Sequence, residues 1–574
     1  MRKKPSNPKT AAELIRLLTS LKFSFSAEDS RLKAEIIEDL ASKKLLNPFL
    51  LMKYHEALCF AQAYPDNPEI KGLVDKELAG FAGRISYFKE VYGDEDERIE
   101  DAGLVDTFIR YPYNYIMARW LVDRYGDDVD IDWEYYAENE SDPLSGLLNI
   151  FALYVENDGI DDEDLTTEEW VNTAHAENQT SLEWLLKKLD KLPASFDVKQ
   201  YLYDGAELML KWRIGKSRAA STLAMTSRPV IYYQKGPLKK HRFDLRHISK
   251  SRPPDIRLLS EKDGKKVIET QILALLPRHR ELYPTSYANP SEVYVTSPGR
   301  GLEIYMVGMK PQNRMPLETN YSGLLIKNGV PIGYAISVLL FERCEIAINV
   351  FDMFRSGEAS IIFNHFFKVF YHHFGGRAFL MRKWQVGHEN EEGLQSGSFW
   401  FYYKLGFRSI ISEVDDLARA EAEKINKDRS YRCDIKTLKR LALSDLLVDL
   451  RPKPRKPFRE LQVAKIGMAV TEMIAADFGG DGNKAFRDSK RQVLSALGIT
   501  DLNKWPGNER LCFDRWCPLL NLIGDLTDWN KRDKRRLIEI IKAKGARRER
   551  RFVSLMQKHG KFNDALTKVA EGRD

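Results

Sequence analysis

The pattern of hydrophobic and polar positions divides the chain into three stretches. From residue 11 to about residue 212, apolar residues recur at spacings of three and four, as at Leu14, Ile15 and Leu18. This is the period of an amphipathic helix. From about residue 229, β-prone runs and turn sequences become frequent, and beyond about residue 411 the helical period returns. The pattern predicts an α/β central domain between an all-α N-terminal region and a small all-α C-terminal domain.

The strongest local signal is a hairpin centred on Asn328-Gly329. This dipeptide favours a type I′ turn because both central residues of that turn need a positive φ. Apolar runs flank it on both sides, and a third β-prone run begins at Cys344. We therefore predict a meander of three strands over residues 321–352.

The meander leads into a short glycine-containing turn and a predicted helix over residues 361–374. A strand followed by such a turn and a helix can bind an anion, because the first N–H groups of a helix lack acceptors within the helix and the helix dipole is positive there. Gly357 would let the backbone approach a ligand closely. The alternative is an ordinary tight turn with no ligand.

A second predicted helix, over residues 396–405, carries the pattern Gln395-x-x-Ser398-x-x-Phe401-Tyr402-x-x-Leu405-Gly406-Phe407. This resembles the last helix and following turn of the GNAT superfamily of acyl-CoA-dependent N-acyltransferases, which has Asn and Ala where this chain has Gln395 and Ser398. The family's phosphate loop, (Gln/Arg)-x-x-Gly-x-(Gly/Ala), corresponds to Phe354-Arg-Ser-Gly357-Glu-Ala359, with Phe354 replacing the first residue. The resemblance covers about residues 321–411, or 229–411 if the helix at Glu261 is the family's first.

The resemblance implies acyl-CoA, with acetyl-CoA as the first candidate, as co-substrate and no metal. It implies that the pantetheine arm pairs with the strand edge near Val350 and Asp352. The residues that it places around the rest of the cofactor are Arg355, Ser356, Gly357, Glu358, Ala359, Ser360 and Gln395.

The resemblance also suggests two catalytic residues. Tyr402 would be the acid for the leaving thiolate, and Glu345 the base for the acceptor amine. The alternatives are that Tyr402 only packs between Phe401 and Phe407, and that Glu345 is a solvated carboxylate at a strand end.

Two functions follow as expectations. The first is an acyl-CoA-dependent N-acyltransferase whose amine-bearing acceptor is unknown. The second is a catalytically degenerate GNAT-fold scaffold or interaction protein, in which the replacement at Phe354 would have removed cofactor binding.

Proline, charge and helical period suggest the domain boundaries. Residues 451–457 contain three prolines and four cations, which is typical of a linker. We predict a helical N-terminal region over residues 1–225, a GNAT-like domain with trailing helices over 226–450, and a helical C-terminal domain over 458–574.

Charge is distributed unevenly along the chain. Residues 91–170 contain 24 Asp and Glu against 4 Arg and Lys, whereas residues 531–574 contain 15 basic and 6 acidic residues. The basic tail can be the outer face of an amphipathic helix or a contact to nucleic acid. The acidic stretch can be a solvated face or can pair with basic residues of the same chain.

The overall composition favours an ordinary globular protein. Hydrophobic residues make up 43% of the chain, and its five cysteines follow no disulfide pattern, which indicates a reducing compartment. No apolar run is long enough to span a bilayer, and the basic start lacks the apolar region of a secretion signal. We expect a cytoplasmic protein with no membrane association.

Overall fold

Most of the N-terminal helices begin at side-chain caps. The hydroxyl of Ser26 and the side-chain carbonyls of Asn47 and Asn67 each accept an N–H of the helix that follows, which satisfies one of the otherwise orphaned donors. The helices of this region are α1 (Ala11–Ser20), α2 (Ala27–Ala41), α3 (Pro48–Ala63), α4 (Pro68–Ala79), α5 (Phe81–Tyr92), α6 (Tyr115–Tyr125), α7 (Trp133–Ala137), α8 (Ser145–Phe151), α9 (Asn157–Ile160), α10 (Thr167–Ala174), α11 (Ser181–Lys191) and α12 (Phe196–Asp204).

This computed structural model describes residues 10–93, 96–138, 141–162, 164–227, 230–238, 243–355, 358–428, 430–452 and 458–572. The described chain divides into two compact units. One consists of Met1–Pro237 with Glu269–Ser286 and Asn328–Pro331. The other consists of Leu238–Ile268, Tyr287–Lys327 and Ile332–Asp574.

The N-terminal region is largely helical, but the prediction that it is all-α is wrong. It contains a three-stranded antiparallel sheet in the order β1-β3-β2, formed by β1 (Phe108–Tyr111), β2 (Val129–Ile131) and β3 (Leu210–Arg213). These strands are only three or four residues long, too short to establish a period of two in the sequence. The predicted β-prone run at Val230 forms no strand.

The central sheet has nine strands in the order β11-β12-β10-β9-β8-β7-β6-β5-β4. Its strands are β4 (Arg257–Leu258), β5 (Ala288–Gly299), β6 (Leu302–Met309), β7 (Thr319–Lys327), β8 (Val330–Leu340), β9 (Arg343–Val350), β10 (Ala378–Met381), β11 (Arg408–Ser409) and β12 (Leu446–Asp449). The helices that lie between these strands in the sequence are α13 (Glu261–Leu275), α14 (Tyr283–Ser286), α15 (Ala359–His372), α16 (Glu391–Gln395), α17 (Ser398–Lys404), α18 (Ser412–Lys427) and α19 (Ile435–Leu441).

The predicted hairpin and meander are confirmed. Asn328 and Gly329 have φ values of 48° and 86°, as a type I′ turn requires. A Cβ added to Gly329 would lie 2.6 Å from the carbonyl oxygen of Thr226, so this position requires glycine for space as well as for backbone conformation. The strands on either side are β7 and β8, and β9 completes the meander.

The C-terminal helices pack within the same compact unit as the central sheet. They are α20 (Val463–Phe478), α21 (Gly482–Leu497), α22 (Gly507–Asn521), α23 (Lys531–Gly545), α24 (Arg550–Gln557) and α25 (Gly560–Glu571). Of the predicted linker, residues 453–457 lie outside the described residues, and the proposed domain boundaries remain predictions. No helix among the described residues is long and apolar enough to cross a membrane.

Candidate functional site

The candidate site starts where two parallel strands stop pairing. β9 and β10 form the parallel pair of the central sheet, and its register covers only Ala378–Arg343, Phe379–Cys344 and Leu380–Glu345. β9 continues for five residues beyond Glu345 and stays paired with β8 as far as Val350. In the described structure, residues 346–350 of β9 therefore have a strand partner on one side only.

Hydrogen bonds fix which backbone groups face the unoccupied side. The N–H of Phe351 donates to the carbonyl of Ile332 in β8, and the N–H of Ala378 in β10 donates to the carbonyl of Glu342. Because backbone groups alternate in direction along a strand, Ile346, Ile348 and Val350 turn their N–H and C=O groups away from β8. Ile348 and Val350 are the two of these that lie beyond the end of β10.

The loop after β9 brings charged groups beside this edge. Asp352 begins a short 3₁₀ turn and is exposed. Arg355 forms a 2.8 Å ion pair with Asp352, a further ion pair with Glu392, and donates from Nε to the carbonyl of Val350 at 3.2 Å. Ser356 and Gly357, the centre of the predicted phosphate loop, lie outside the described residues.

Glu358 is buried between two cations. Its carboxylate lies 2.7 Å from Arg300 and 2.6 Å from Lys327, whose side chain is also buried. Glu358 is the N-cap residue of α15, but its side chain makes no capping hydrogen bond. These contacts give it a packing role, since they join the start of α15 to the end of β7 and to the β5–β6 turn.

The first turn of α15 is formed by Ala359 and Ser360, two small, half-buried residues. The helix begins two residues earlier than the sequence predicts and ends at His372 rather than residue 374. One face of the helix is buried through Phe363, Phe366 and Phe370. Its N-terminus, with the positive end of the helix dipole, follows the loop at the open edge of β9.

Tyr402 lies on α17 in an aromatic cluster. Its ring centroid lies 6.1 Å from that of Phe363 on α15, 5.8 Å from that of Phe407 and 5.3 Å from that of Phe401. The side chain is buried, and burial raises the pKa of its hydroxyl. The contact with Phe363 places Tyr402 beside the N-terminal half of α15. Packing alone explains these contacts, so the acid role remains a prediction.

Gln395 is the last residue of α16 and is exposed. The helix predicted over residues 396–405 is present as α17, and Gln395 lies outside it, at the end of the separate short helix α16. Gly397, with a φ of 64°, separates α16 from α17. The side-chain amide of Gln395 lies 3.5 Å from the carboxylate of Glu391, and its cofactor role remains a prediction.

Glu345 is half-buried and paired. Its carboxylate accepts from Arg382 Nε at 2.8 Å. Burial raises its pKa, and Arg382 opposes this effect without cancelling it. Glu345 is thus not the free, solvated strand-end carboxylate of the alternative interpretation, and its role as a base remains a prediction.

Sequence analysis missed the ion-pair cluster around Glu345. Arg382 also contacts Asp445 at 3.1 Å and Glu460 at 2.6 Å, and Glu460 in turn pairs with Arg343. These groups come from β9, the end of β10, the start of β12 and the segment before α20, so their sequence separations hide the cluster. The signal for the buried pair of Lys327 and Glu358 is clearer, because Lys327 directly follows the apolar run Leu324-Leu-Ile326 at the end of β7.

Several basic residues of the tail form ion pairs or hydrogen bonds within their own unit. Lys544 is buried and paired with Glu549, Arg547 lies 2.7 Å from Glu261, and Arg548 donates to the carbonyl of Ser291. Other cations of α23 and α24, such as Arg535 and Arg551, are exposed. The nucleic-acid hypothesis remains a prediction.

Within the described parts of the chain, no group of three or more His, Cys, Asp or Glu side chains is arranged to hold a metal ion. Comparisons with protein-family models, with curated proteins and with solved structures find no match to this chain.

Proposed function

We propose that this chain is an acyl-CoA-dependent N-acyltransferase with a GNAT-like central domain. The observation that carries the proposal is the early end of the parallel pairing between β9 and β10, next to a loop and the start of α15. Together with the motif around Tyr402, this arrangement supports a cofactor site that the sequence predicts at the same place.

The pantetheine arm of acyl-CoA has two amides and can bind as an added strand. The backbone groups of Ile348 and Val350 face the side on which β9 has no partner strand among the described residues, so they can pair with these amides. Arg355 already donates to the carbonyl of Val350. The pantetheine amide would have to share this acceptor with Arg355 or displace the Arg355 side chain from it.

The pyrophosphate would bind at the first turn of α15. Ala359 and Ser360 would contribute backbone N–H groups, and their small side chains leave room for phosphate oxygens. Arg355 can join them, because its ion pairs with Asp352 and Glu392 involve exposed partners and such pairs add little stability. Glu358 stays with Arg300 and Lys327 in this proposal.

The transfer step needs three events. The acceptor nitrogen loses a proton and attacks the thioester carbonyl, the C–S bond breaks, and the departing sulfur is stabilised by a proton donor. Tyr402 would be the donor; its raised pKa keeps the phenol protonated. Glu345 would take the proton of the amine, and Arg382 would hold its carboxylate in place.

The test is acyl-CoA binding by the full chain, measured by thermal shift and calorimetry with acetyl-, succinyl- and longer acyl-CoA. A ligand at 100 times its dissociation constant adds about 2.7 kcal/mol of stability. Gly357→Val should abolish binding in a folded protein, because a β-branched side chain blocks close approach of the backbone to phosphate. Gly467→Val is the matched control, since a Cβ there meets nothing within 4 Å.

Absence of stabilisation by all of these acyl-CoA species would favour the alternative function, a GNAT-fold scaffold without cofactor. Unchanged affinity in folded Gly357→Val would contradict the placement of the phosphate site even if the cofactor binds.

A further inference from the structure

An apolar segment of the N-terminal unit is strongly exposed to solvent. Leu153, Tyr154 and Val155 are 69%, 93% and 78% exposed. Scattered exposed apolar residues are ordinary, but three consecutive ones at this exposure form a patch of the kind that marks an interaction site. We call residues 153–155 the apolar tip.

The local backbone holds the apolar tip in place. The residues from Tyr154 to Glu156 form a 3₁₀ turn. The carboxylate of Glu156 accepts the N–H of Leu153 at 2.7 Å, and the N–H of Glu156 donates to the carbonyl of Leu153 at 2.8 Å. The tip is therefore a hydrogen-bonded turn that presents its side chains outward.

The segment that follows the tip in the chain is acidic. The exposed carboxylates that follow it are those of Glu156, Asp158, Asp161, Asp162 and Asp164. Residues 153–170 contain no Lys or Arg, and none of these five carboxylates forms an ion pair within the described structure. A partner for this surface should have an apolar recess bordered by cations.

The second unit of the same chain presents such a surface. A shallow depression along α19 is lined by Ile435, Lys436, Lys439, Arg440 and Leu443, and we call it the cationic depression. Ile435 and Leu443 are 47% and 53% exposed. The three cations are exposed and form no ion pair among the described residues.

We propose that two copies of this chain associate by inserting the apolar tip of one copy into the cationic depression of the other. Charge complementarity selects a second copy as the occupant, because one surface is apolar and acidic and the other is apolar and basic. Burial of Tyr154 against Ile435 and Leu443 would supply the hydrophobic part of the contact. The surrounding charges would fix its orientation and make it sensitive to salt. Each copy carries one apolar tip and one cationic depression, so each copy can take part in two such contacts.

The mass of the full chain tests this proposal, measured by analytical ultracentrifugation over a concentration series at low and physiological salt. We expect particles of two or more chains that dissociate on dilution and at high salt. Replacing Leu153 and Tyr154 with Ser should weaken association at least tenfold. A chain that stays monomeric throughout at low salt overturns the proposal.

Charge exchange identifies the two surfaces. The variant Lys436→Glu/Lys439→Glu/Arg440→Glu should lose association, as should Asp158→Lys/Asp161→Lys/Asp162→Lys. Combining the six substitutions in one chain should restore it, because each reversed surface then meets a reversed partner. Absence of restoration in a folded combined variant, as judged by circular dichroism and thermal unfolding, overturns the pairing.

The control is Lys531→Glu/Arg532→Glu/Arg535→Glu, which makes the same charge change at exposed residues of α23. It should leave the dissociation constant within about twofold of the wild-type value. Equal loss in the control and in the α19 variant would show unspecific charge attraction and would overturn the assignment of the cationic depression.

Discussion

The carboxylate of Glu292 on β5 accepts the backbone N–H of Glu549 at 2.7 Å, and thereby caps the start of α24. The same carboxylate accepts the N–H of Arg550 at 3.0 Å and the hydroxyl of Tyr321 at 2.8 Å, and it lies 3.3 Å from Arg314. Glu292 and Glu549 are both fully buried. A strand of the central sheet therefore supplies the N-terminal cap of a C-terminal helix, which joins the predicted C-terminal domain to the sheet.

Glu292→Ala should destabilise this junction by about 3–5 kcal/mol. The substitution leaves two backbone N–H groups at the start of α24 and the hydroxyl of Tyr321 without this acceptor, and it removes one of the two carboxylates beside the buried Arg314. Hydrogen exchange should show loss of protection in α23 and α24 before the rest of the unit. Glu472→Ala on the exposed face of α20 is the control, and equal protection in both variants would contradict the capping role.

The same residue predicts a dependence on pH. Burial raises the pKa of Glu292 from 4.5 to about 7, with Glu549 adding to this effect and Arg314 opposing it. The pKa of Glu292 is higher in the folded state than in the unfolded state. Glu292 therefore contributes its full stabilisation below pH 4.5 and loses it as the pH rises through about 7. From pH 5 to 8 the free energy of unfolding should fall by up to about 3 kcal/mol on this account.

Glu292→Gln should flatten that part of the pH profile, because the amide does not titrate. Denaturant unfolding at pH 5, 6, 7 and 8 measures it. Parallel profiles for wild type and Glu292→Gln would show that the pH dependence comes from other groups.

An element of the fold can be predicted from the sequence when the residues that determine it are neighbours in the chain. Asn328-Gly329 fixes its hairpin through the φ values of two residues, so the turn and the adjoining strands could be predicted. β12 could not, because Leu446–Asp449 follows a helical stretch and becomes a strand by pairing with β10 and β11, which are distant in the sequence. The cap of α24 joins residues 257 positions apart, and no periodicity indicates such a contact.

The same distinction applies to the candidate site. The motif around Tyr402 and the turn after β9 are local, and both were visible in the sequence. The pairing of Glu345 with Arg382 and of Glu358 with Lys327 depends on how strands lie side by side. These pairings change the interpretation of both carboxylates, since neither is free to act alone.

Glu358→Gln tests whether this residue serves packing or cofactor binding. It should lower the free energy of unfolding by about 3–5 kcal/mol, because the buried Lys327 would lose the carboxylate that lies 2.6 Å from it. The exposed Glu391→Gln, at the start of α16, should change it by less than about 0.5 kcal/mol. Chemical denaturation gives both values.

A double variant separates loss of charge from loss of volume. Lys327→Met/Glu358→Met replaces the buried pair by apolar side chains and should recover part of the lost stability. Wild-type stability in Glu358→Gln, together with weakened acetyl-CoA binding, would instead assign Glu358 to the cofactor site.

Tyr402→Phe tests the proposed acid. If the chain transfers acyl groups, turnover should fall roughly 10²- to 10⁴-fold while CoA affinity changes little, because only the proton donor is removed. Tyr403→Phe is a matched control on the same helix, where the Tyr403 ring stacks on Phe399. Turnover within about threefold of wild type in Tyr402→Phe would leave Tyr402 with a packing role alone.

The last prediction concerns Cys433, the one half-buried cysteine, since the other four are buried. Burial raises the pKa of its thiol to about 12, and the neighbouring carboxylate of Glu421, which the sulfur contacts at 3.1 Å, adds to this effect. Because the thiolate is the reactive form, iodoacetamide at pH 8 should modify Cys433 roughly 50-fold more slowly than a free cysteine.

Glu421→Gln should increase the rate of Cys433 modification about threefold for each unit by which the pKa of the thiol falls. Glu423→Gln, on the exposed side of α18, should leave that rate unchanged. Peptide mapping by mass spectrometry assigns the modified residue. Fast modification of wild-type Cys433 would show that its thiol does not lie against Glu421 in solution.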